Sequence, residues 1–240
     1  MLGKSISKNT LILTAFAIVT AGALALTNLG TQDRIAKAER AAQQRALYEV
    51  IPRDQHDNDL LTDTLPIPAP SWEPLGANAD SKIHRARRDG KITALIIPAI
   101  SHDGYSGDIG MIVGVNRDGT IAGVRVLLHK ETPGLGDKIE LKKHQWILGF
   151  DGKSLELPVI SDWRVKKDGG VFDQFAGATI TPRAVVGQVK RVLEFVAANQ
   201  QTLFDDGVSN STPPTSSDAL PNITEVGPNS AGGIQENKHE

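Results

Sequence analysis

The residues best equipped for chemistry lie in one short run, Asp173-Gln174-Phe175-Ala176-Gly177-Ala178-Thr179-Ile180-Thr181-Pro182. A carboxylate and an aromatic ring open it, three small residues follow, and two hydroxyls stand before a proline. Downstream, Val185, Val189, Val192 and Val196 recur at spacings of four, three and four, the apolar stripe of a helix facing a core. Thr181-Pro182 therefore reads as an N-cap followed by proline at the first helical position, where a missing N–H costs nothing. Thr179 then sits two residues ahead of that helix, beside free backbone N–H groups and the positive end of the macrodipole. A phosphate attached there is favourably placed. The pattern gives Thr179 no structural task, and the small residues before it leave its hydroxyl open to another macromolecule. On residue types alone, a tight strand-to-helix turn is the plainer account of Gly-Ala-Thr.

A second block, His129-Lys130-Glu131-Thr132-Pro133-Gly134-Leu135-Gly136, follows an expected strand. Pro-Gly and a further glycine within four residues make a turn-rich loop with exposed backbone groups. On residue types it is a structured turn with His129 and Glu131 solvated at its rim. A hydrolytic role for that pair lacks a nucleophile elbow and any third ligand at metal-like spacing.

Composition removes whole classes of function. The 240 residues carry 26 Lys+Arg against 28 Asp+Glu, a net charge of −2 with no case for nucleic-acid binding. There is no cysteine, hence no disulfide, thiolate metal site, cysteine-ligated iron–sulfur cluster or cysteine nucleophile. No GxxxxGK[ST] or GxGxxG follows a strand. His56 with Asp57 and Asp59 reads as a solvated loop rather than a metal site, and Lys142, Lys143 and His144 as a solvated charge run.

Residues 173–179 resemble the flavinylation motif of the FMN-binding domain family, Asp-x-x-Ser/Thr-Gly-Ala-Thr. In that family the final threonine carries FMN through a phosphoester bond. The resemblance makes Thr179 the acceptor, with Asp173, Gly177 and Ala178 completing the motif. Ala176 departs from the pattern, standing where the family has Ser or Thr. Residues 129–136, with Tyr105-Ser106-Gly107 before and Asp137-Lys138-Ile139-Glu140 after, are similar to the G subunits of Rnf (Rsx) ion-translocating electron-transport complexes. The likeness runs from the N-terminus to about Phe204. It implies that the loop borders the flavin, with Glu131, Thr132, Gly134 and Leu135 as cofactor-binding candidates. It further implies an external FAD:protein FMN transferase that uses Mg²⁺ and releases AMP, since a threonine hydroxyl without an adjacent base does not modify itself. Other membrane subunits of the complex are the implied partners. The implied role is relaying electrons while the complex couples reduced ferredoxin and NAD to cation movement, or, in some relatives, keeps a redox-sensing regulator reduced. The flavin would carry the electrons and the chain would position it, with no independent catalysis.

The elements that must position these residues follow in chain order. Residues 10–29 are uncharged and largely apolar, and twenty helical residues span roughly 30 Å, a bilayer's hydrocarbon core. A cleaved signal peptide is the rival reading, and the length favours a retained anchor. Lys4 and Lys8 precede the span while Arg34, Lys37, Arg40 and Arg45 follow it, so a count of basic residues opposes export. The resemblance implies the reverse: a single-pass protein of the bacterial inner membrane with most of the chain periplasmic. Residues 31–51 read as a helical stalk ending at Pro52, and Pro66, Pro68, Pro70 and Pro74 as an extended connector.

The domain boundaries are then 1–30 for the anchor, 31–80 for stalk and connector, 81–205 for the FMN-binding domain and 206–240 for a disordered tail. Within the domain, residues 92–100 form a strand whose Pro98 suggests an edge or a bulge. Residues 111–116 and 121–128 form a hairpin around Asp118-Gly119. The expected fold is α+β, mostly antiparallel strands packed with helices. Two alternatives stand beside the Rnf reading. One is a component like the C subunit of a sodium-translocating NADH:quinone reductase. The other is a non-redox anchored periplasmic binding or scaffold protein in which Gly-Ala-Thr is only a turn.

Overall fold

The computed structural model describes residues 2–207. Its first element is a single helix, α1 (Leu2–Val50), about 70 Å long at 1.5 Å per residue. Within it, the stretch Thr10–Gln32 has a mean hydropathy of 2.1 and contains no buried residue among those described. Leu11, Leu13, Phe16, Ile18, Leu24 and Leu26 all point outward there, which is stable in lipid and not in water. The helix stops where Pro52 removes a donor, its last turn closed by Ile51 N–H on the Leu47 carbonyl at 2.9 Å.

Beyond it lies a five-stranded antiparallel meander in the order β1 (Thr64–Pro66), β2 (Lys82–Arg88), β3 (Lys91–Ser101), β4 (Ile109–Asn116) and β5 (Ile121–Leu128). The β4–β5 hairpin turns at Asn116, whose carbonyl accepts from Gly119 N–H at 2.9 Å; Gly119 has φ +84°, which only glycine adopts without strain. The Asp118 carboxylate fastens the turn by accepting from the Thr120 amide and hydroxyl.

Pro98 is not on an edge strand, because β3 lies between β2 and β4. The β2 register ends at Ile96 while the β4 register continues through Pro98↔Ile112, so the proline lies where β3 outruns β2. A missing donor is harmless at such a place.

The two faces of the sheet take different partners. Leu95, Ile97 and Ala99 of β3 with Met111, Val113 and Val115 of β4 face α3 (Ile180–Leu203), whose stripe Val185, Val189, Val192 and Val196 is buried against them. The alternate residues, Ala94, Ile96 and Ile112, face the end of α1 through Leu47, Val50 and Ile51. Close approach of α1 depends on the pair Gly114↔Gly123. A Cβ on Gly114 would overlap the Val50 side chain, and one on Gly123 would lie 3.4 Å from the Val50 carbonyl.

Connector residues also join the core. Leu60, Ile67 and Leu75 are buried, β1 pairs with β2, and the short helix α2 (Trp72–Leu75) packs beside them. Neither β1 nor β2 was expected. In β2 the inward position falls on Arg85, whose guanidinium pairs with Asp63 at 2.5 Å, while Arg87 reaches the other Asp63 oxygen at 2.7 Å. A charge is buried there because it is paired.

Between β5 and α3 the chain has no strand. It runs through short 3₁₀ turns at Asp137–Ile139, Gln145–Phe150, Ile160–Asp162 and Lys166–Asp168. An aromatic cluster holds this stretch to the core, with Phe150 and Phe172 ring centroids 4.7 Å apart and Trp146 and Phe175 5.1 Å apart. The tail expected over 206–240 lies outside the described residues from 208 onward. Asp206, its first residue, is tied to the sheet by accepting from Ile92 N–H at 2.7 Å.

Candidate functional site

The motif's Gly-Ala-Thr is set by a turn. Phe175 and Ala178 form an isolated bridge, with Ala178 N–H donating to the Phe175 carbonyl at 3.2 Å. Gly177 occupies the third position of that turn with φ +81°, the geometry of a type II turn that requires glycine there. Ala176, in the second position, is exposed, and the turn needs no hydroxyl from it.

The helix starts earlier than the Thr181-Pro182 pattern predicts. α3 begins at Ile180, so Thr179 itself is the N-cap residue and Pro182 lies within the first turn. Thr181 is not a cap. It is fully buried, and its hydroxyl donates to the Glu131 carboxylate. Thr179, by contrast, makes no side-chain capping bond, so its hydroxyl stands uncommitted at the N-terminus of α3, which runs regularly as far as a kink at Asn199. The N–H groups of the first turn and the helix dipole favour an anion at that point.

The loop after β5 folds over this terminus. Thr132-Pro133-Gly134-Leu135 is a second turn of the same kind, with Leu135 N–H on the Thr132 carbonyl at 3.1 Å and Gly134 at φ +79°. Gly134 N–H is held by Asp137 Oδ1 at 2.8 Å. Glu131 lies at the root of the loop and is 4% exposed, not solvated at a rim. One carboxylate oxygen takes the Thr181 hydroxyl; the other takes Ser106 N–H at 2.9 Å. Gly136 completes the wall, since a Cβ there would come within 2.9 Å of both Glu131 Cβ and the Thr181 hydroxyl. One carboxylate therefore ties together the 102–108 loop, the 129–136 loop and the start of α3. His129 supports the arrangement: its Nδ1 accepts from Glu131 N–H at 3.1 Å, which leaves Nε2 to donate to Glu140 at 2.7 Å.

These segments enclose a cleft of about 570 Å³ lined by Tyr105, Glu131, Thr132, Leu135, Gly136 and residues 177–181. That volume lies within the range of roughly 300–1,000 Å³ typical of cofactor sites. Six of the eight residues expected at the site share it: Thr179, Gly177, Ala178, Glu131, Thr132 and Leu135. Gly134 shapes the loop without lining the cleft. Asp173 lies outside it, exposed and paired with Lys166 at 2.5 Å, and its carbonyl accepts from Trp146 Nε1 at 2.8 Å. Tyr105, 69% exposed at the cleft, was missed as a site residue. An aromatic ring between glycines, Gly104-Tyr105-Ser106-Gly107, was the available signal. The donor set suits a flavin phosphate ester: an uncommitted hydroxyl at a helix N-terminus, backbone amides beside it, and apolar surface from Tyr105, Leu135 and Ile180 for a planar ring.

Residues 104–194 match the family model of the FMN-binding domain, and residues 1–50 match that of the RnfG N-terminal region. The G subunit of the ion-translocating oxidoreductase complex of Pseudomonas aeruginosa is 50% identical over 201 residues, covering 84% of this chain and 93% of that protein. Its counterpart in Pseudoalteromonas atlantica is 47% identical over 199 residues, covering 83% and 92%. That of Vibrio cholerae is 47% identical over 201 residues, covering 84% and 95%.

Proposed function

Because the chain belongs to the family of G subunits of ion-translocating oxidoreductase complexes and carries that family's FMN-binding domain, we propose that it is a membrane-anchored, electron-carrying subunit of such a complex. Its FMN is joined by a phosphoester bond to Thr179. An FAD:protein FMN transferase installs the group, and the remaining membrane subunits of the complex are its electron donors and acceptors. The anchor spans the inner membrane with the N-terminus inside and the folded domain in the periplasm. A covalent tether suits that compartment, where a lost flavin has no ready replacement.

The observation that carries this reading is the uncommitted Thr179 hydroxyl at the N-terminus of α3, inside a cleft closed by the 129–136 loop. FMN supplies the reversible uptake of electrons. The chain's own residues do the positioning. First-turn amides of α3 would hold the phosphate, the Gly177 turn keeps the acceptor clear of bulky neighbours, and the Glu131 carboxylate fixes the loop against the helix. Tyr105, Leu135 and Ile180 offer apolar surface that would exclude water from a planar ring.

The test is intact mass and peptide mapping of the full chain produced with the transferase. An FMN-sized adduct on the peptide containing Thr179, absent from Thr179→Ala, is the expected result. Unchanged flavin content in a folded Thr179→Ala protein refutes the assignment.

A further inference from the structure

Directly beside the Thr179 cleft lies a second one, of about 630 Å³, lined by Lys138, His144, Trp146, Lys153 and residues 171–176. The two share the motif turn, since Ala176 lines one and Gly177 the other. Adjacent residues are about 3.8 Å apart, so whatever occupies the second cleft touches the segment that presents Thr179.

Its charge is out of keeping with the rest of the chain. The only carboxylate in the lining, Asp173, is already engaged by Lys166 at 2.5 Å. Lys138 and Lys153 make no ion pair among the described residues. They lie over aromatic rings instead, Lys138 at 5.9 Å from Phe175 and Lys153 at 5.7 Å from Phe172. Such contacts place an ammonium without neutralising it. His144 accepts Trp146 N–H on Nδ1 at 3.0 Å, which leaves Nε2 as a further donor. A protein of net charge −2 thus concentrates uncompensated positive charge beside its candidate cofactor site.

Phe172 and Phe175 of the lining do not offer a stacking platform. Phe172 and Phe175 are 5% and 6% exposed, with their rings packed against Phe150 and Trp146. At the opening, Lys138, Lys153 and the exposed His144 stand beside apolar surface from Val171 and the half-buried Trp146, a mixture that suits carboxylate side chains projecting from another protein.

We infer that this cleft is a docking surface for an acidic segment of the partner protein that exchanges electrons with the site at Thr179. The inference rests on the flavin reading given above. Charge complementarity at such a patch raises the encounter rate and fixes orientation, and it weakens as salt screens it.

The experiment uses the flavin-loaded full chain and the double charge reversal Lys138→Glu/Lys153→Glu. Neither lysine lines the Thr179 cleft, so the mass adduct is measured first and is expected to be unchanged. Loss of the adduct from the wild type refutes the flavin reading; an intact adduct isolates the docking question. Co-purification of the other complex subunits from solubilised membranes at low salt is then compared. The expected result is retention by the wild type, release as salt is raised, and loss in the double variant.

Inorganic probes supply a second readout. The flavin is first reduced with dithionite and the excess removed; each ferricyanide then accepts one electron, so two are consumed per fully reduced flavin, with two protons released to solvent. The wild type should react faster with this anion at low salt than at high salt, and the reversal should slow it about tenfold and invert the salt dependence. A reversal that leaves both co-purification and the ferricyanide rates unchanged overturns the proposal. So does suppression of the wild-type ferricyanide reaction by phosphatidylglycerol bilayers, but not phosphatidylcholine bilayers, if the double variant escapes it, because the cleft would then bind lipid head groups.

Discussion

Replacing Glu131 by Ala should be among the most damaging single changes in the domain. The side chain is 4% exposed and holds the Thr181 hydroxyl, which is fully buried, and the Ser106 amide. A hydrogen bond to a charged group contributes about 1.5–3 kcal/mol, and a buried donor left without an acceptor costs about 1–3 kcal/mol. The Ser106 amide lies nearer solvent and recovers part of its loss through water. The net effect is therefore about 3–4 kcal/mol, a large share of a typical domain stability of about 5–15 kcal/mol.

Glu131→Gln keeps a carbonyl acceptor and should lose only about 1–2 kcal/mol. Thr181→Val removes one donor and should cost about 2 kcal/mol. Because the two partners share one bond, the double change Glu131→Ala/Thr181→Val should fall short of the sum by about 1–2 kcal/mol. Urea unfolding followed by tryptophan fluorescence reads these values, with Trp163 buried and Trp146 half-buried in the aromatic cluster. A loss under about 0.5 kcal/mol for Glu131→Ala, or strict additivity with Thr181→Val, would show that the carboxylate does not tie the loop to the helix.

Three further outcomes follow from other parts of the molecule. Gly177→Ala forces an L-residue to φ +81° and should cost about 1–2 kcal/mol; the flavin yield by mass should fall with it, and an unaffected yield would show that the turn does not present Thr179. Gly114→Ala drives a Cβ into Val50 and should destabilise by about 1–3 kcal/mol. Adding Val50→Ala should recover part of that loss, and no recovery would mean that α1 is not seated on this glycine pair. Burial holds His84 below its ordinary value of 6.5, its hydrogen bond to the Leu60 carbonyl opposing the shift only in part. The unfolded chain therefore binds the proton more readily, so stability is fully present above pH 6.5 and declines as pH falls toward the lowered folded value. Denaturation midpoints across that interval should drop in the wild type, and a His84→Gln protein that shows the same drop would remove His84 as the cause.

Much of this protein is written locally, and local chemistry is what a sequence displays. An uninterrupted apolar run, the valine stripe of α3 and the Asp118-Gly119 turn each depend on residues a few positions apart, so anchor, helix and hairpin were all legible. The residues of the two motif blocks were legible for the same reason. β1 and β2 were not, because Arg85 stands where the alternation calls for an apolar residue, and only Asp63, over twenty residues away, makes that burial tolerable. The role of Thr181 was misread because hydroxyl-before-proline is a local signature of a cap, whereas its partner, Glu131, lies fifty residues upstream.

The sequence by itself determined that the Thr179 hydroxyl follows a small-residue turn at the start of a helix, since a turn and a helix start are matters of a few adjacent dihedrals. Only the tertiary structure decided which groups surround that hydroxyl. Glu131 meets Thr181 from fifty residues upstream, and Tyr105 and the Gly134 loop come to the same place from other parts of the chain; no spacing along the chain encodes a distance through space.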